Sequence, residues 1–292
     1  MNALISLIVC TLGRTETLER LLGSLRQQTY RRFEIILVDQ NPAGFLDPII
    51  EAFSDLPIIR LKSPKGLSRG RNVGLAQCEG DIVGFPDDDC WYDPDVLFAV
   101  HAFFSGNPEI DLYSGRTVDR SGRDSVSRHL DASTSIVPAK IFLVGNSNTF
   151  FVRRKAAIDA EGFNEDLGVG SGTPFQSGEE SDFLLKCMAN GCRGYYDPDF
   201  KIRHDQVAAS PLRARSYSRG FGRVVRMHNL GTGFFVSRSA RTLAGGCLRL
   251  ARGDVRGARE RFEWLVGSIG GYAASHKSRP EIRRAQESAH SR

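Results

Sequence analysis

The chain has 292 residues, 41% of them hydrophobic and 25% charged, with a net charge of +5. These proportions belong to a globular protein with a sizeable core and exclude a disordered chain. No apolar run approaches the roughly 18 residues of a membrane span, and Leu4–Cys10 is too short and too poorly flanked to be a signal peptide.

The charge is unevenly placed. Residues 201–292 hold nineteen Lys+Arg against six Asp+Glu, a balance of +13, while residues 1–200 carry −8. An acidic body therefore carries a basic end, which points to a surface or polyanion partner for that end. The six cysteines, Cys10, Cys78, Cys90, Cys187, Cys192 and Cys247, form no CxxC pair and no zinc spacing. Reduced thiols of a cytoplasmic protein are the expectation.

In chain order, Leu4–Cys10 is a buried strand. Arg14–Gln28 has helical spacing at Leu18, Leu21, Leu22 and Leu25, with Thr15 or Thr17 as its cap. Phe33–Val38 is a second strand closed by Asp39, Pro48–Phe53 a short helix and Ile58–Leu61 a third strand. Gly66–Gln77 passes from glycine-rich loop into helix, and Asp81–Phe85 is a fourth strand ending in Pro86-Asp87-Asp88-Asp89. This βαβ rhythm predicts an α/β fold with a mostly parallel sheet. Further on, Pro94–Phe104, Lys155–Ala160 and Glu179–Asn190 read as helices, and Leu112–Val118 and Thr149–Val152 as strands.

In such a sheet, ligands bind beyond the carboxyl ends of the strands. Thr11, Arg14, Asp39 and Asp87–Asp89 all fall there. Three adjacent carboxylates repel one another, and Mg²⁺ or Mn²⁺ would relieve that repulsion. In an extended segment Asp87 and Asp89 point one way and Asp88 the other; a solvated acidic turn is the alternative. Gly66–Gly74, with Arg69 and Arg71, opens a helix and suits phosphate oxygens. Glu179, Glu180 and Asp182 begin another helix, where they serve the helix dipole or supply a general base. His204 closes a strand-like segment and is either structural or part of a metal site.

Taken together, these residues resemble the family 2 glycosyltransferases of the GT-A fold over about residues 4–205. Leu7–Thr11 with Arg14 is similar to that family's opening strand and donor loop, Val38-Asp39 to its base-contacting element, and Arg71-Asn72-Val73-Gly74 to its helix start. Phe85–Cys90 resembles its DxD region, Gly162–Glu165 its Gly-Phe-Asp-Glu turn, and Gly178–Asp182 its Gly-Glu-Asp-x-Asp element. The resemblance implies inverting transfer of a sugar from a nucleotide diphosphate donor, UDP first, to an acceptor sugar or lipid-linked glycan in cell-surface polysaccharide or glycolipid assembly. It implies Mg²⁺ or Mn²⁺ on Asp89, and His204, by its place at a strand end, would complete that site. Donor contacts would come from Thr11, Arg14, Asp39, Arg71, Asn72, Asp87 and Asp88. The base would be Glu180, with Glu179 or Asp182 as alternatives. Gln40 replaces a second Asp after Asp39, Cys90 replaces a third acid, and Glu180 stands where the family most often has Asp.

The expected division is a catalytic domain over 1–207, a basic amphipathic helical extension over 208–275 and a disordered tail over 276–292. In the extension, Val255, Ala258, Phe262, Leu265, Val266, Ile269 and Tyr272 repeat at helical spacing, with Asp254 as N-cap. Arg-rich amphipathic helices suit an anionic bilayer interface, which would place the protein on the inner face of the cell membrane. Packing of the same apolar faces on the body is the other reading. A sugar-phosphate nucleotidyltransferase would carry a longer glycine-rich loop with a Lys after the first strand. A non-catalytic polyanion-binding protein would leave the acidic constellation unexplained, and the extension lacks a nucleic-acid motif.

Overall fold

The computed structural model describes residues 2–207 and 210–274. The tail expected to be disordered, 276–292, lies outside the described residues.

The strands β1 (Ile5–Thr11) and β2 (Phe33–Asp39) are buried at every position. That is why each reads as an unbroken apolar run: strands inside a parallel sheet are covered on both faces. Helix α1 (Glu16–Arg26) turns Leu18, Leu21, Leu22 and Leu25 inward; Thr15 is its N-cap residue, but its side chain makes no capping bond. After α2 (Asp47–Ala52) comes the edge strand β3 (Ile58–Lys62), then α3 (Leu67–Gln77) and β4 (Ile82–Gly84). Gly70 and Gly74 let α3 lie close on β1, because a Cβ on Gly74 would stand 2.4 Å from Ile8 and one on Gly70 2.8 Å from Cys10 Sγ.

The chain continues through β5 (Cys90–Trp91), α4 (Val96–Gly106), β6 (Leu112–Val118) and β7 (Thr134–Ser135). Two 3₁₀ turns, Pro138–Leu143 and Ser147–Thr149, lead into β8 (Phe150–Arg153), α5 (Arg154–Asp159), α6 (Glu179–Ala189) and β9 (Gly194–His204). The sheet order is β3-β2-β1-β4-β8-β6-β9-β5, with β7 also on β9. The half from β3 to β4 is parallel, as the rhythm predicts. The second half is mixed: β8 runs antiparallel to β4 and β6, while β6 and β9 are parallel. Between Ser114 and Arg116 the β6–β9 register shifts, and Gly115 permits it, since a Cβ there would meet the Phe200 carbonyl at 2.1 Å. Alternation along the strands feeds two cores, with Ile8, Ile36 and Val38 on one face and Leu7, Val9 and Ile35 on the other.

The extension folds as α7 (Pro211–Met227), α8 (Thr232–Ala251) and α9 (Val255–Ala273). Helix α7 does not stand apart from the body: Val224 is in the main core and the Ser177 hydroxyl donates to the Tyr217 carbonyl at 2.6 Å. Helix α9 is capped by Asp254, which accepts from Gly257 N at 2.8 Å. It packs on α7 through Gly267, Ser268 and Gly271, whereas Val255, Val266 and Ile269 are exposed. The closest approach is thus through small residues, which let the backbones come together, while Ala258 and Tyr272 of the aliphatic repeat are also covered, Tyr272 stacking on Phe235 with ring centroids 4.2 Å apart.

A matched pair of substitutions tests this seam. A Cβ on Gly271 would lie 2.0 Å from the Arg219 carbonyl, whereas one on neighbouring Gly270 meets nothing nearer than 4.0 Å. Gly271→Ala should cost about 1–3 kcal/mol in urea unfolding. Gly270→Ala should be neutral or stabilising by up to about 1 kcal/mol.

Candidate active site

The carboxyl ends of β1, β2 and β4 meet one rim, and the N-termini of α3 and α6 close it. At its centre is Arg71, 2% exposed. One of its nitrogens donates to Asp87 Oδ1 at 3.1 Å and to the Ser147 hydroxyl at 2.7 Å, and the other faces Glu179 Oε1 at 3.5 Å. The Ser147 hydroxyl in turn donates to Glu180 Oε1 at 2.8 Å. The carboxylates after β4 and those opening α6 therefore belong to one bonded unit, although 92 and 93 residues separate Asp87 from Glu179 and Glu180 in sequence.

The second unit lies alongside. Arg14 pairs with Asp88 at 2.8 Å and also with Asp89. Asp87 and Asp89 are half-buried while Asp88 is buried, the alternation expected of an extended segment. His204, at the end of β9, approaches Asp89 Oδ1 through Nε2 at 3.1 Å and the Asp205 carbonyl through Nδ1 at 2.5 Å. Burial raises the pKa of Asp88, with Arg14 and the Thr11 hydroxyl opposing it.

Burial governs the titration of these groups. It pushes Asp87 up to about 6, with Arg71 opposing and Asp89 and Glu180 reinforcing. Burial and the neighbouring Glu180 push Glu179 up to about 7, against the pull of Arg71. Asp89 goes the other way: burial is outweighed by His204 and Arg14, which bring it down to about 2. Burial lowers His204, but its bond to Asp89 prevails and raises it. The rim carries more carboxylates than cations, a balance that suits a divalent ion.

Among the described residues, no group of three His, Cys, Asp or Glu side chains could hold a metal unaided. Asp89 and His204 form a two-residue set of carboxylate oxygen and imidazole nitrogen. With Nδ1–H donated to a carbonyl, Nε2 is the nitrogen presented to a ligand. Such a pair fits a Mg²⁺ or Mn²⁺ that takes its remaining ligands from water and phosphate.

Three sequence candidates are engaged elsewhere. Asp39 is fully buried; Lys62 donates to it at 2.7 Å, Arg60 at 2.6 and 2.9 Å and Asn41 at 2.9 Å. Those bonds outweigh burial and hold its pKa at about 2. Asn72 joins α3 to the 162–165 turn, donating to the Phe163 carbonyl at 2.9 Å and accepting from Phe163 N at 2.8 Å. Asp182 accepts from His228 Nε2 at 2.8 Å, which ties α6 to the end of α7. Ser147 and His228 are the site residues that sequence reasoning missed. A serine in a loop and a histidine in a basic helix carry no pattern of their own.

With this geometry in view, comparison identifies the class. The fold is that of GT-A glycosyltransferases. The mannosyltransferase PcManGT from Pyrobaculum calidifontis, solved with GDP-Man and Mn²⁺, superposes with a TM-score of 0.65 at 15% identity, over 93% of this chain and 87% of that one. Staphylococcus aureus TarS 1–349 in complex with UDP-GlcNAc gives 0.59 at 21% identity, over 76% of this chain and 66% of that one. The chain belongs to glycosyl transferase family 2, whose model matches residues 6–166. It is also 26% identical over 206 residues to the pre-mycofactocin glycosyltransferase of Mycobacterium tuberculosis, which covers 69% of this chain and 42% of that relative. The chain thus spans less than half of that relative's length.

Two measurements probe the buried cluster. Arg71→Met strands Asp87 and Glu179 without their cation and should cost about 3–5 kcal/mol in chemical unfolding. Glu179 folds preferentially protonated, so its contribution to stability is present below the ordinary Glu value and is lost as pH rises through about 7. The melting temperature of Glu179→Gln relative to wild type should therefore rise from pH 5 to pH 8. A difference that does not change with pH would contradict the shift.

Proposed function

We propose that the protein transfers a sugar from a nucleotide diphosphate donor, UDP-linked first, to an acceptor hydroxyl with inversion. The observation that carries this reading is the bonded unit Asp87–Arg71–Ser147–Glu180. It ties the acidic segment after β4, at the donor end of the rim, to a carboxylate suited to an acceptor proton.

Glu180 is the base in this reading. It is half-buried, whereas Glu179 is buried against Arg71 and Asp182 is buried against His228. Glu180 takes the proton of the acceptor hydroxyl. That oxygen bonds to the anomeric carbon on the face opposite the diphosphate, and the bond to the leaving phosphate oxygen breaks. Asp89 and His204 hold Mg²⁺ or Mn²⁺, which when bound offsets charge on the leaving diphosphate. Arg14, with Asp88 and Thr11 behind it, and Asp87 bear on the donor. Asp39 serves the base end as one ion-paired unit with Arg60 and Lys62, and Asn72 acts by positioning α3. Residues 1–207 form the catalytic domain and 208–275 its extension. The acceptor is a sugar or lipid-linked glycan used in cell-surface polysaccharide or glycolipid assembly at the inner face of the membrane. No helix among the described residues is long and apolar enough to cross that membrane.

A panel of UDP-, GDP- and dTDP-sugars with Mn²⁺, read by thermal shift and nucleotide release, tests the reading. Glu180→Gln should keep the donor-induced shift while release falls about 10²–10⁴-fold; release near the wild-type rate would remove Glu180 as the base. Asp89→Asn should abolish the Mn²⁺ dependence of donor binding.

A further inference from the structure

The outward faces of α8 and α9 are unusual for a water-facing surface. On α8, Val236, Leu243 and Leu250 are 57%, 47% and 52% exposed, and Cys247 between them is exposed too. On α9, Val255, Val266 and Ile269 are 64%, 48% and 49% exposed, with Phe262 half-buried in the same row. Both rows step by seven, four and three residues, so each is one stripe along its helix. The stripes join where Leu250, Val255, Phe262 and Val266 line a common groove. Helix α8 has no acidic residue; on α9, Arg256 and Arg259 are exposed beside the stripe, and Glu263, which also lines the groove, is paired with Arg215 at 3.5 Å.

The inner faces make the same point. The helices approach through small residues: Gly267 and Gly271 of α9 on α7, and Gly246 of α8 under Phe262. Helices that pair through small residues and direct larger aliphatics outward suit an apolar environment.

We propose that the α8–α9 face docks on an anionic lipid bilayer, with the aliphatic stripes at the acyl boundary and the arginines among the headgroups. This deepens the membrane placement given above and is independent of the transfer chemistry. Charge selects the occupant. A second copy would bring arginine-flanked stripes against each other. The chain's own residues 275–292 carry Lys277, Arg279, Arg283, Arg284 and Arg292 against Glu281 and Glu287, so they repel the same face. An anionic bilayer complements both the charge and the aliphatic surface.

The test uses the full chain and needs no donor, so its failure is distinct from failure of the transferase reading. Flotation is measured with vesicles of phosphatidylglycerol and phosphatidylethanolamine, and with pure phosphatidylcholine vesicles. Anionic vesicles should capture the protein at least tenfold better than neutral ones. Arg256→Gln with Arg259→Gln should weaken capture about fivefold per residue, and Leu243→Glu with Leu250→Glu should abolish it. Circular dichroism and the nucleotide-induced thermal shift should stay at wild-type values in both. The arginine pair, being exposed, keeps the test valid if the leucine pair disturbs folding. Absence of capture by anionic vesicles, or capture unchanged in the arginine pair, would overturn the proposal. So would a dimer in light scattering that the leucine pair dissolves, which would assign the face to a second copy.

Discussion

A buried guanidinium organises this protein. Arg71 lies almost wholly out of water, and a charge so placed persists only with partners of opposite sign and hydrogen-bond acceptors around it. Asp87, Glu179 and Ser147 supply them from three separate stretches of chain. The end of β4, the start of α6 and the turn before β8 are therefore held in one arrangement by a shared electrostatic requirement. The raised titration of Asp87 and Glu179 has the same origin: burial acts on two carboxyls while one arginine offsets only part of it.

The second organising element is the support behind α6. The 166–178 loop and the first turn of α6 rest against α7, where a Cβ on Gly220 would reach the Ser177 carbonyl at 2.0 Å. Phe142 and Phe221 close the seam with ring centroids 4.7 Å apart. Helix α7 thus belongs to the body by packing, even though it begins beyond residue 207 and shares the extension's basic composition. The boundary in charge and the boundary in packing fall at different places along the chain.

Much of this was legible in the sequence, for physical reasons. Leu4–Cys10 and Phe33–Val38 read as strands because burial on both faces forces continuous apolarity. Acidic and basic residues at strand ends stood out because the segments before them are so apolar. What stayed hidden depends on contacts distant in sequence. Only the last part of β9 was visible, since Asp197-Pro198-Asp199 within it reads as a turn, and it sits where the register with β6 shifts. The occupation of Asp39 by Arg60 and Lys62 needs the β2–β3 pairing to be known. The close approach of α9 to α7 has no signal in hydrophobic periodicity, which finds the aliphatic stripe, whereas close approach selects glycine and serine.

The bond between His228 and Asp182 gives the extension a mechanical meaning. Whatever holds α8 and α9 acts on α7 through the glycine seam, and α7 ends on the helix whose first turn carries Glu179 and Glu180. The extension is therefore no tether that can be cut away cleanly. Removing it takes Val224 from the core and leaves a buried carboxylate without its partner, so the extension and the first turn of α6 are parts of one lever.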